Sequence, residues 1–330
     1  MEYKSIKEIF DAFDKQKVLI IGDVMIDAYI WGAVERISPE APVPVVRATK
    51  RDYRLGGAAN VALNIQALGA DPILCAVVGD DEAGSNLVKR LEEKNMSTAG
   101  IVNSSNRPTT VKTRVLSGHQ HVVRVDEETD KELNSEEQAA LISKIDQLLA
   151  GIDVIVFEDY DKGVVTENLI SHVVAAAKSR DIPTVVDPKK RHFLSYKGVT
   201  LFKPNLKELK EGLKLDFEKH DQSAIEDAVE KLMGEIKCEG ALITLSERGV
   251  YINYQNETHL IPAHMREISD VSGAGDTVIS LVSIAVALKL SPYLIAALSN
   301  LGGGLVCEHV GVVPIDKSEL FAEAEKQQWI

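Results

Sequence analysis

The chain has 330 residues, of which 45% are hydrophobic and 26% charged, and its 50 acidic and 37 basic side chains give a formal charge of -13. This composition is that of a folded globular protein, and it excludes disordered and fibrous classes. The negative charge, without a Lys/Arg-rich stripe, argues against a nucleic-acid-binding surface, because a phosphate backbone would be repelled.

The N-terminal segment is charged and amphipathic, and it has neither the apolar run nor the small-residue cleavage site of a secretory signal. The longest nearly uncharged apolar run, 277–288, has about a dozen residues, whereas a membrane span needs about 20. It therefore predicts a buried helix. Cys75, Cys238 and Cys307 lie far apart and lack C-x-x-C spacing, which argues against disulfides and zinc. We expect a cytoplasmic protein with reduced cysteines and no membrane partner.

Short apolar runs alternate with longer segments of helical spacing, which predicts an α/β fold with a mostly parallel sheet flanked by helices. The predicted strands span residues 18–23, 73–80, 154–159, 184–188, 200–205 and 241–246. The predicted helices span residues 58–68, 83–93, 135–149, 167–179, 223–236 and 291–309. Ligands bind beyond the carboxyl ends of such strands. One rim should therefore carry the polar residues that end them: Asp23, Asp80, Asp159, Asp187, Asn205 and Ser246.

Two segments, at about 36–54 and 109–126, depart from this alternation of apolar strands and helices. In both, the type of residue alternates along the chain with period two. We interpret them as antiparallel strands that form a small β-sheet lid at the ligand-binding rim, with a face or edge suited to a partner subunit. A hairpin without a function is the alternative. The chain has no internal repeat and no evident linker, so we predict a single domain over residues 1–330 with the lid inserted.

The strongest local motif is DVSGAGDTVISLVSIAVAL, which starts at Asp270. Gly273, Ala274 and Gly275 precede an apolar helix, so the amides of 274–276 can point from the helix N-terminus at an anion. An acid at Asp276 would repel a phosphate, and its position makes more sense for a base that acts on a hydroxyl. An ordinary N-cap with a glycine turn is the alternative. The chain lacks a Walker A loop and a dinucleotide fingerprint.

A second motif lies near the N-terminus, where Asp27 follows the first strand and Gly56-Gly57 precede Asn60 at the start of a helix. Glycines let a backbone approach a ligand closely, and Asp and Asn supply the acceptors and donors that sugar hydroxyls need. A loop that binds no ligand is the alternative.

A third motif, Lys203-Pro204-Asn205 with Glu208, joins a strand to a helix. Asn205 and Glu208 share a helix face and can hold a hydrated Mg²⁺ near phosphate oxygens, although a helix-capping arrangement explains the spacing equally well. Other polar residues on this rim are 158–163, 187–189, and a candidate nucleotide-binding turn with Thr244, Ser246, Glu247 and Gly249.

Together, GGAAN, KPNLKE and DVSGAGDT, in this order, resemble the PfkB/ribokinase family of ATP-dependent sugar kinases. The resemblance implies a ribokinase-like domain with a β lid, ATP and Mg²⁺ as partners, an anion hole at 273–276 and Asp276 as the base. It leaves the need for a monovalent cation open. The implied sugar contacts are Asp27, Gly56, Gly57, Asn60 and Asp159. Glu208 is implied near Mg²⁺, and the implied nucleotide and phosphate contacts are Lys203, Asn205, Thr244, Ser246, Gly249 and Asn300.

A narrower resemblance comes from RISPEAPVPVV, LGGAANVALNIQALGA and TTVKTRVLS, and continues through EDYDKG and DPKK. These segments are similar to the D-glycero-β-D-manno-heptose 7-phosphate kinases of lipopolysaccharide-core synthesis, which implies phosphorylation of the anomeric hydroxyl to give the 1,7-bisphosphate for ADP-heptose. In many such proteins a nucleotidyltransferase domain follows the kinase. Here we expect a stand-alone kinase.

The lid bears on the choice of acceptor. Lys112 and Arg114 point to one face of a strand, and Arg124 lies on the expected partner strand, so the three cations can converge on a phosphate monoester. A solvated cationic edge is the alternative. The competing functions are a kinase for ribose, fructose, fructose phosphate or a nucleoside, and a sugar-sensing protein without catalysis. We expect a homodimer formed through the lid.

Overall fold

The computed structural model describes residues 3–330 except residues 119, 265 and 267. Residue 119 falls inside the predicted lid segment, and residues 1 and 2 in the N-terminal stretch also lie outside the described residues. The strands are β1 (Lys17–Gly22), β2 (Val24–Ile37), β3 (Pro44–Gly57), β4 (Asp71–Gly79), β5 (Ile101–Ser104), β6 (Thr110–Ser117), β7 (Gln120–Glu127), β8 (Val154–Glu158), β9 (Thr184–Asp187), β10 (Leu201–Phe202), β11 (Gly240–Thr244), β12 (Val250–Tyr254) and β13 (Glu257–Ile261). The helices are α1 (Ile6–Phe13), α2 (Ala58–Ala67), α3 (Glu82–Glu93), α4 (Ser135–Leu148), α5 (Glu167–Lys178), α6 (Leu206–Leu213), α7 (Gln222–Ile236), α8 (Ala274–Ala287), α9 (Pro292–Val306) and α10 (Lys317–Lys326).

The larger sheet has the strand order β13-β12-β11-β10-β9-β8-β1-β4-β5. It is parallel from β11 to β5, and β12 and β13 extend it in antiparallel fashion at one edge. The strand order reverses beside β1, between β8 and β4, and this is where open α/β sheets bind ligands. The predicted mostly parallel sheet flanked by helices is therefore confirmed, whereas β5, β12 and β13 were not among the predicted strands.

Alternation along β1 sends side chains into two separate cores, because successive residues of a strand point to opposite faces. Val18 and Ile20 pack in the core that contains α8, while Leu19 and Ile21 pack in the core that contains α5. Residues 276–286 of α8 are all buried, so the predicted buried helix is present. In the described part of the chain, no helix is both long and apolar enough to cross a membrane.

The smaller sheet is the lid, with the strand order β3-β2-β6-β7. β2 and β3 pair antiparallel from Val24↔Gly57 to Ile37↔Pro44, β2 pairs with β6 in parallel, and β6 and β7 form a hairpin. The lid thus begins at Val24, twelve residues before the predicted start at 36. Its first six residues are all buried, so this part of β2 lacks the polar alternation by which an exposed strand is recognised.

Candidate active site

The N-terminus of α8 is built as an anion-binding site. Gly273, its N-cap residue, has a φ of 82° and offers no capping side chain. A Cβ at Gly273 would lie 3.3 Å from both Asn60 Nδ2 and Val312 Cγ1, so glycine also allows close packing. The Ala274 amide is directed at Val271 O at 3.3 Å, whereas the amides of Gly275 and Asp276 have no hydrogen-bond partner among the described residues. These two N–H groups and the helix dipole favour an anion.

Asp276 lies at this N-terminus with both carboxylate oxygens hydrogen-bonded. Its Oδ2 accepts from Asn60 Nδ2 at 2.6 Å, and its Oδ1 accepts from the Tyr160 hydroxyl at 2.8 Å. Burial raises the pKa of Asp276 to about 6, although these two hydrogen bonds lower it. A carboxylate with a pKa near neutrality is well suited to accept a proton from a hydroxyl.

Asn60 and the Gly56-Gly57 pair connect this acid to the root of the lid. Gly57 has a φ of 59°, and a Cβ there would meet Asp23 O at 2.4 Å. A Cβ at Gly56 would meet Asp27 Oδ2 at 2.2 Å, so both glycines are required by close contacts. The Oδ1 of Asn60 is buried without a hydrogen-bond partner in the described structure, which leaves an acceptor available for a ligand hydroxyl.

The lid carries the predicted cations on one face, already paired with acids. Arg114 forms an ion pair with Asp27, and Arg124 contacts Asp126 at 2.9 Å. Lys112 lies 2.7 Å from Glu128 and 3.2 Å from Asp126. Arg114 and Arg124 are directly opposite in the β6–β7 register, so they share a face with Lys112, two residues from Arg114.

Two strands of the larger sheet, β9 and β10, bring further charges to the same rim. Lys203 is almost fully buried and contacts Asp187 at 2.9 Å, while Lys189 contacts Glu208 at 2.9 Å and Asp187 at 3.7 Å. Asn205 Oδ1 accepts from the Glu208 amide, and Glu208 Oε2 accepts from the Asn205 amide. The Asn205 and Glu208 pair is therefore a capping box of α6, and the second Glu208 oxygen is the one that meets a cation.

Glu158, which the sequence places among the polar rim residues 158–163 without a predicted role, lies on the site face of β8. It is fully buried, and neither of its oxygens has a hydrogen-bond partner in the described structure. Burial raises the pKa of Glu158 well above its usual value, and the nearby Asp187 and Asp276 raise it further. Its signal in the sequence is its position as the last residue of an apolar strand.

The predicted sugar contact Asp159 lies one residue further along and is held elsewhere. It accepts hydrogen bonds from the Asp161 amide at 2.8 Å and from the Tyr196 hydroxyl at 2.7 Å. Tyr196 belongs to the core on the α5 side of the sheet, whereas Asp276 belongs to the α8 side. Strand alternation thus brings Glu158, and not Asp159, to the side of the sheet on which Asp276 lies.

The residues predicted to contact a nucleotide occupy the side of the rim formed by β11 and α9. Thr244 pairs with Asn205 in an isolated β-bridge, and Ser246 starts a short 3-10 turn that ends at Arg248 and is followed by Gly249, which has a φ of 89°. Asn300, on α9, donates to Pro262 O at 2.8 Å and so fixes the segment that follows β13. The structure brings Thr244 next to the capping box, while Asn300 and Gly249 both contact the segment 261–263.

This chain is similar to known proteins over most of its length. A family model described as "pfkB family carbohydrate kinase" matches residues 15–317. The curated "Bifunctional protein HldE" of Syntrophotalea carbinolica is 39% identical over 322 residues, and that of Methylobacillus flagellatus is 40% identical over 313 residues. These alignments cover 97% and 94% of this chain but only 65% and 64% of the relatives' lengths.

Solved structures share the fold at low sequence identity. Phosphofructokinase-2 from Escherichia coli in complex with potassium has a TM-score of 0.78 and 18% identity, and the alignment covers 93% of this chain and 98% of that one. Arabidopsis thaliana ribokinase complexed with ribose and ATP has a TM-score of 0.70 and 15% identity, with coverage of 93% and 98%. The chain belongs to the pfkB family of carbohydrate kinases.

Proposed function

We propose that this kinase transfers the γ-phosphoryl group of ATP to the anomeric hydroxyl of D-glycero-β-D-manno-heptose 7-phosphate, which gives the 1,7-bisphosphate for ADP-heptose and lipopolysaccharide-core synthesis. The observation that carries the proposal is the row of cations on one face of the lid, at Lys112, Arg114 and Arg124. Arg114 also contacts Asp27, the predicted sugar contact beside Gly56. The resemblance of the lid segments to heptose 7-phosphate kinases supports the same acceptor.

In this mechanism Asp276 accepts the proton of the anomeric hydroxyl as its oxygen attacks the γ-phosphorus. The bond from that phosphorus to the β,γ-bridging oxygen breaks, and ADP leaves. The amides of Gly275 and Asp276 stabilise the negative charge on the phosphoryl oxygens during transfer. The free Oδ1 of Asn60 accepts a hydrogen bond from a sugar hydroxyl and helps to hold the acceptor in place.

PfkB kinases use ATP together with Mg²⁺. Glu208 fits such an ion, because one of its oxygens already binds a cation, the ammonium of Lys189, at 2.9 Å. Mg²⁺ takes few protein carboxylates and keeps several waters, so a single glutamate suffices. When bound, the ion neutralises charge on the ATP phosphates. Lys189 and Lys203 add positive charge at the same rim.

Recognition of the acceptor phosphate requires the lid cations to exchange partners. Each of the three is paired with a carboxylate, which holds the lid residues in position. A dianionic phosphate monoester attracts Arg114 more strongly than one carboxylate does. When Arg114 moves to the phosphate, Asp27 is released to accept a hydrogen bond from the sugar.

An ADP-release assay with four acceptors tests the proposal: heptose 7-phosphate, fructose 6-phosphate, ribose and fructose. We expect kcat/KM for heptose 7-phosphate to exceed that for ribose and for fructose by at least tenfold, since one charge-assisted contact to the phosphate contributes about 1.5–3 kcal/mol, and to exceed that for fructose 6-phosphate as well. A higher value for ribose or fructose would contradict the phosphate site. A higher value for fructose 6-phosphate would keep the phosphate site but replace the heptose.

A further inference from the structure

The carboxylate of Asp276 is held from two sides, by Asn60 on α2 and by Tyr160 in the loop that follows β8. Asn60 also belongs to the proposed sugar site, so its amide is shared between the base and the substrate. Tyr160 has a different position, because its hydroxyl donates to Asp276 Oδ1 at 2.8 Å from the side of the larger sheet. It is therefore the donor to the base that does not depend on the sugar.

The backbone around Tyr160 is fixed by a buried acid at the end of β1. Asp23 Oδ2 accepts from the amides of Tyr160 at 2.8 Å and Lys162 at 3.1 Å, and its Oδ1 accepts from the Val164 amide at 3.1 Å. The ring of Tyr160 also lies under the Lys189 ammonium, 5.2 Å from the ring centroid. Because the backbone and the ring of Tyr160 are both held by these contacts, the direction of its hydroxyl is defined.

We propose that Tyr160 is a positioning residue whose hydroxyl fixes the Asp276 carboxylate and keeps it ionised at neutral pH. The proposal rests on the proposed role of Asp276 as the base. Neither a sugar nor ATP has to touch Tyr160 for it to act, since its effect passes through the Oδ1 of Asp276.

The electrostatics of the site give this hydrogen bond a measurable consequence. Burial raises the pKa of Asp276 to about 6, and the Tyr160 hydrogen bond is one of the contacts that lower it. The charged groups that face the base are Glu158 on β8, Asp187 at the end of β9 and Lys189 after it. The two acids favour the protonated form of Asp276 and the lysine favours the ionised form. Without the Tyr160 donor, the balance shifts towards protonation.

The test is the pH profile of kcat/KM for the sugar in Tyr160→Phe, at saturating ATP and Mg²⁺. Because the base must be ionised to act, a higher pKa moves the acidic limb of the profile to higher pH. We expect a shift of about one pH unit, which corresponds to one lost hydrogen bond to a charged group. At pH 6 the variant should therefore lose activity several-fold more than at pH 8.5.

Tyr196→Phe is the matched control, because it removes a buried tyrosine hydroxyl that donates to an aspartate, Asp159, at 2.7 Å. Its acidic limb should coincide with that of the wild type. Tyr160→fluorotyrosine, a nearly isosteric and stronger donor, should move the limb to lower pH and covers the case in which Tyr160→Phe does not fold.

An unmoved acidic limb in Tyr160→Phe or in Tyr160→fluorotyrosine would overturn the positioning role, as would an equal shift in Tyr196→Phe. The base itself is tested separately with Asp276→Asn. Normal turnover in Asp276→Asn would refute the proposed base, whereas lost turnover together with an unmoved Tyr160→Phe limb would refute only the role of Tyr160.

Discussion

A base at Asp276 must be ionised at neutral pH and must also be basic enough to accept a proton from a hydroxyl. Its burial raises its pKa to about 6, and the hydrogen bonds from Asn60 and Tyr160 prevent a larger rise. The carboxylate is therefore mostly ionised at pH 7 and still basic enough to accept a proton. The amides of Gly275 and Asp276, which have no hydrogen-bond partner in the described part of the chain, lie on the same turn as the proposed base.

Asp276→Asn should lower kcat by roughly 10²- to 10⁴-fold, since a positioned base contributes about that much to the rate. The variant keeps the shape of the side chain, so the affinities for ATP and sugar should change little. Steady-state kinetics with calorimetric binding measure both quantities. Near-normal turnover in a variant that binds both substrates would refute the base assignment.

Glu208→Gln should weaken the apparent Mg²⁺ affinity more than the sugar affinity, because the amide keeps the capping geometry but loses the negative charge. Mg²⁺ titrations of kcat at fixed ATP measure the effect. Glu211→Gln, on the same helix but paired with the exposed Lys207 at 3.8 Å, is the control. If the Glu208→Gln titration overlays that of the wild type, Glu208 is a capping residue only.

For single residues, the sequence predicts that polar residues lie at the strand ends. It does not predict which of two adjacent residues faces the site. The motif 270–288 predicts the helix N-terminus and its acid, because glycines and an apolar helix leave a local signal. The choice between Glu158 and Asp159 depends on the phase of alternation along β8, which an all-apolar strand hides. Tyr160 reaches Asp276 through a fold contact 116 residues apart in sequence, which no local pattern reveals.

Among the elements, the lid is connected by side-chain contacts to the turn at which α8 begins. Tyr29 on β2 lies between two guanidinium groups, with Arg54 at 4.9 Å and Arg114 at 5.4 Å from its ring centroid. Arg54 also donates to Val312 O at 3.0 Å, and Val312 packs beside Gly273. The lid and the anion-binding turn are therefore connected through side-chain contacts. Period-two alternation predicts β6, β7 and most of β3, but the buried half of β2 has no such alternation.

The face of β7 opposite to Arg124 supports our expectation that two copies associate through the lid. Val123 and Val125 are each 49% exposed, and they pair with Val115 and Thr113 on β6. Neighbouring exposed apolar side chains on one face of a strand, such as these two on β7, are typical of an interface. The double variant Val123→Asp/Val125→Asp should reduce the dimer affinity at least tenfold, because burial of two charges without partners is costly.

Light scattering after size exclusion, over a range of protein concentrations, measures this change in association. Leu260→Asp, an exposed apolar residue at 44% on the edge strand β13, is the control and should leave the dimer intact. A wild type that is monomeric at all concentrations, or a double variant with the mass of the wild type, would contradict association through this face.

In the whole molecule, the proposed active site lies where the larger sheet and the lid meet. The larger sheet brings charged residues to the carboxyl ends of its central strands, α8 contributes Asp276, the proposed base, and the turn proposed to bind an anion, and the lid contributes cations from outside the sheet. The alternation of apolar strands and helices in the sequence predicts this layout. The partners of each lid cation were not predictable, since Asp27 and Arg114 meet only after β2 and β6 pair.

We propose that the lid recognises a phosphate group on the acceptor. The most direct test is to measure kcat/KM of the wild type and of Arg114→Ala, with heptose 7-phosphate and with unphosphorylated heptose as acceptors. Arg47→Ala removes an equal charge from an exposed lid position paired with Glu35 and serves as the control. We predict a loss of about tenfold or more on heptose 7-phosphate, smaller at high ionic strength, and little change on unphosphorylated heptose. Equal losses on both acceptors would contradict the claim, because Arg114 would then only support the lid.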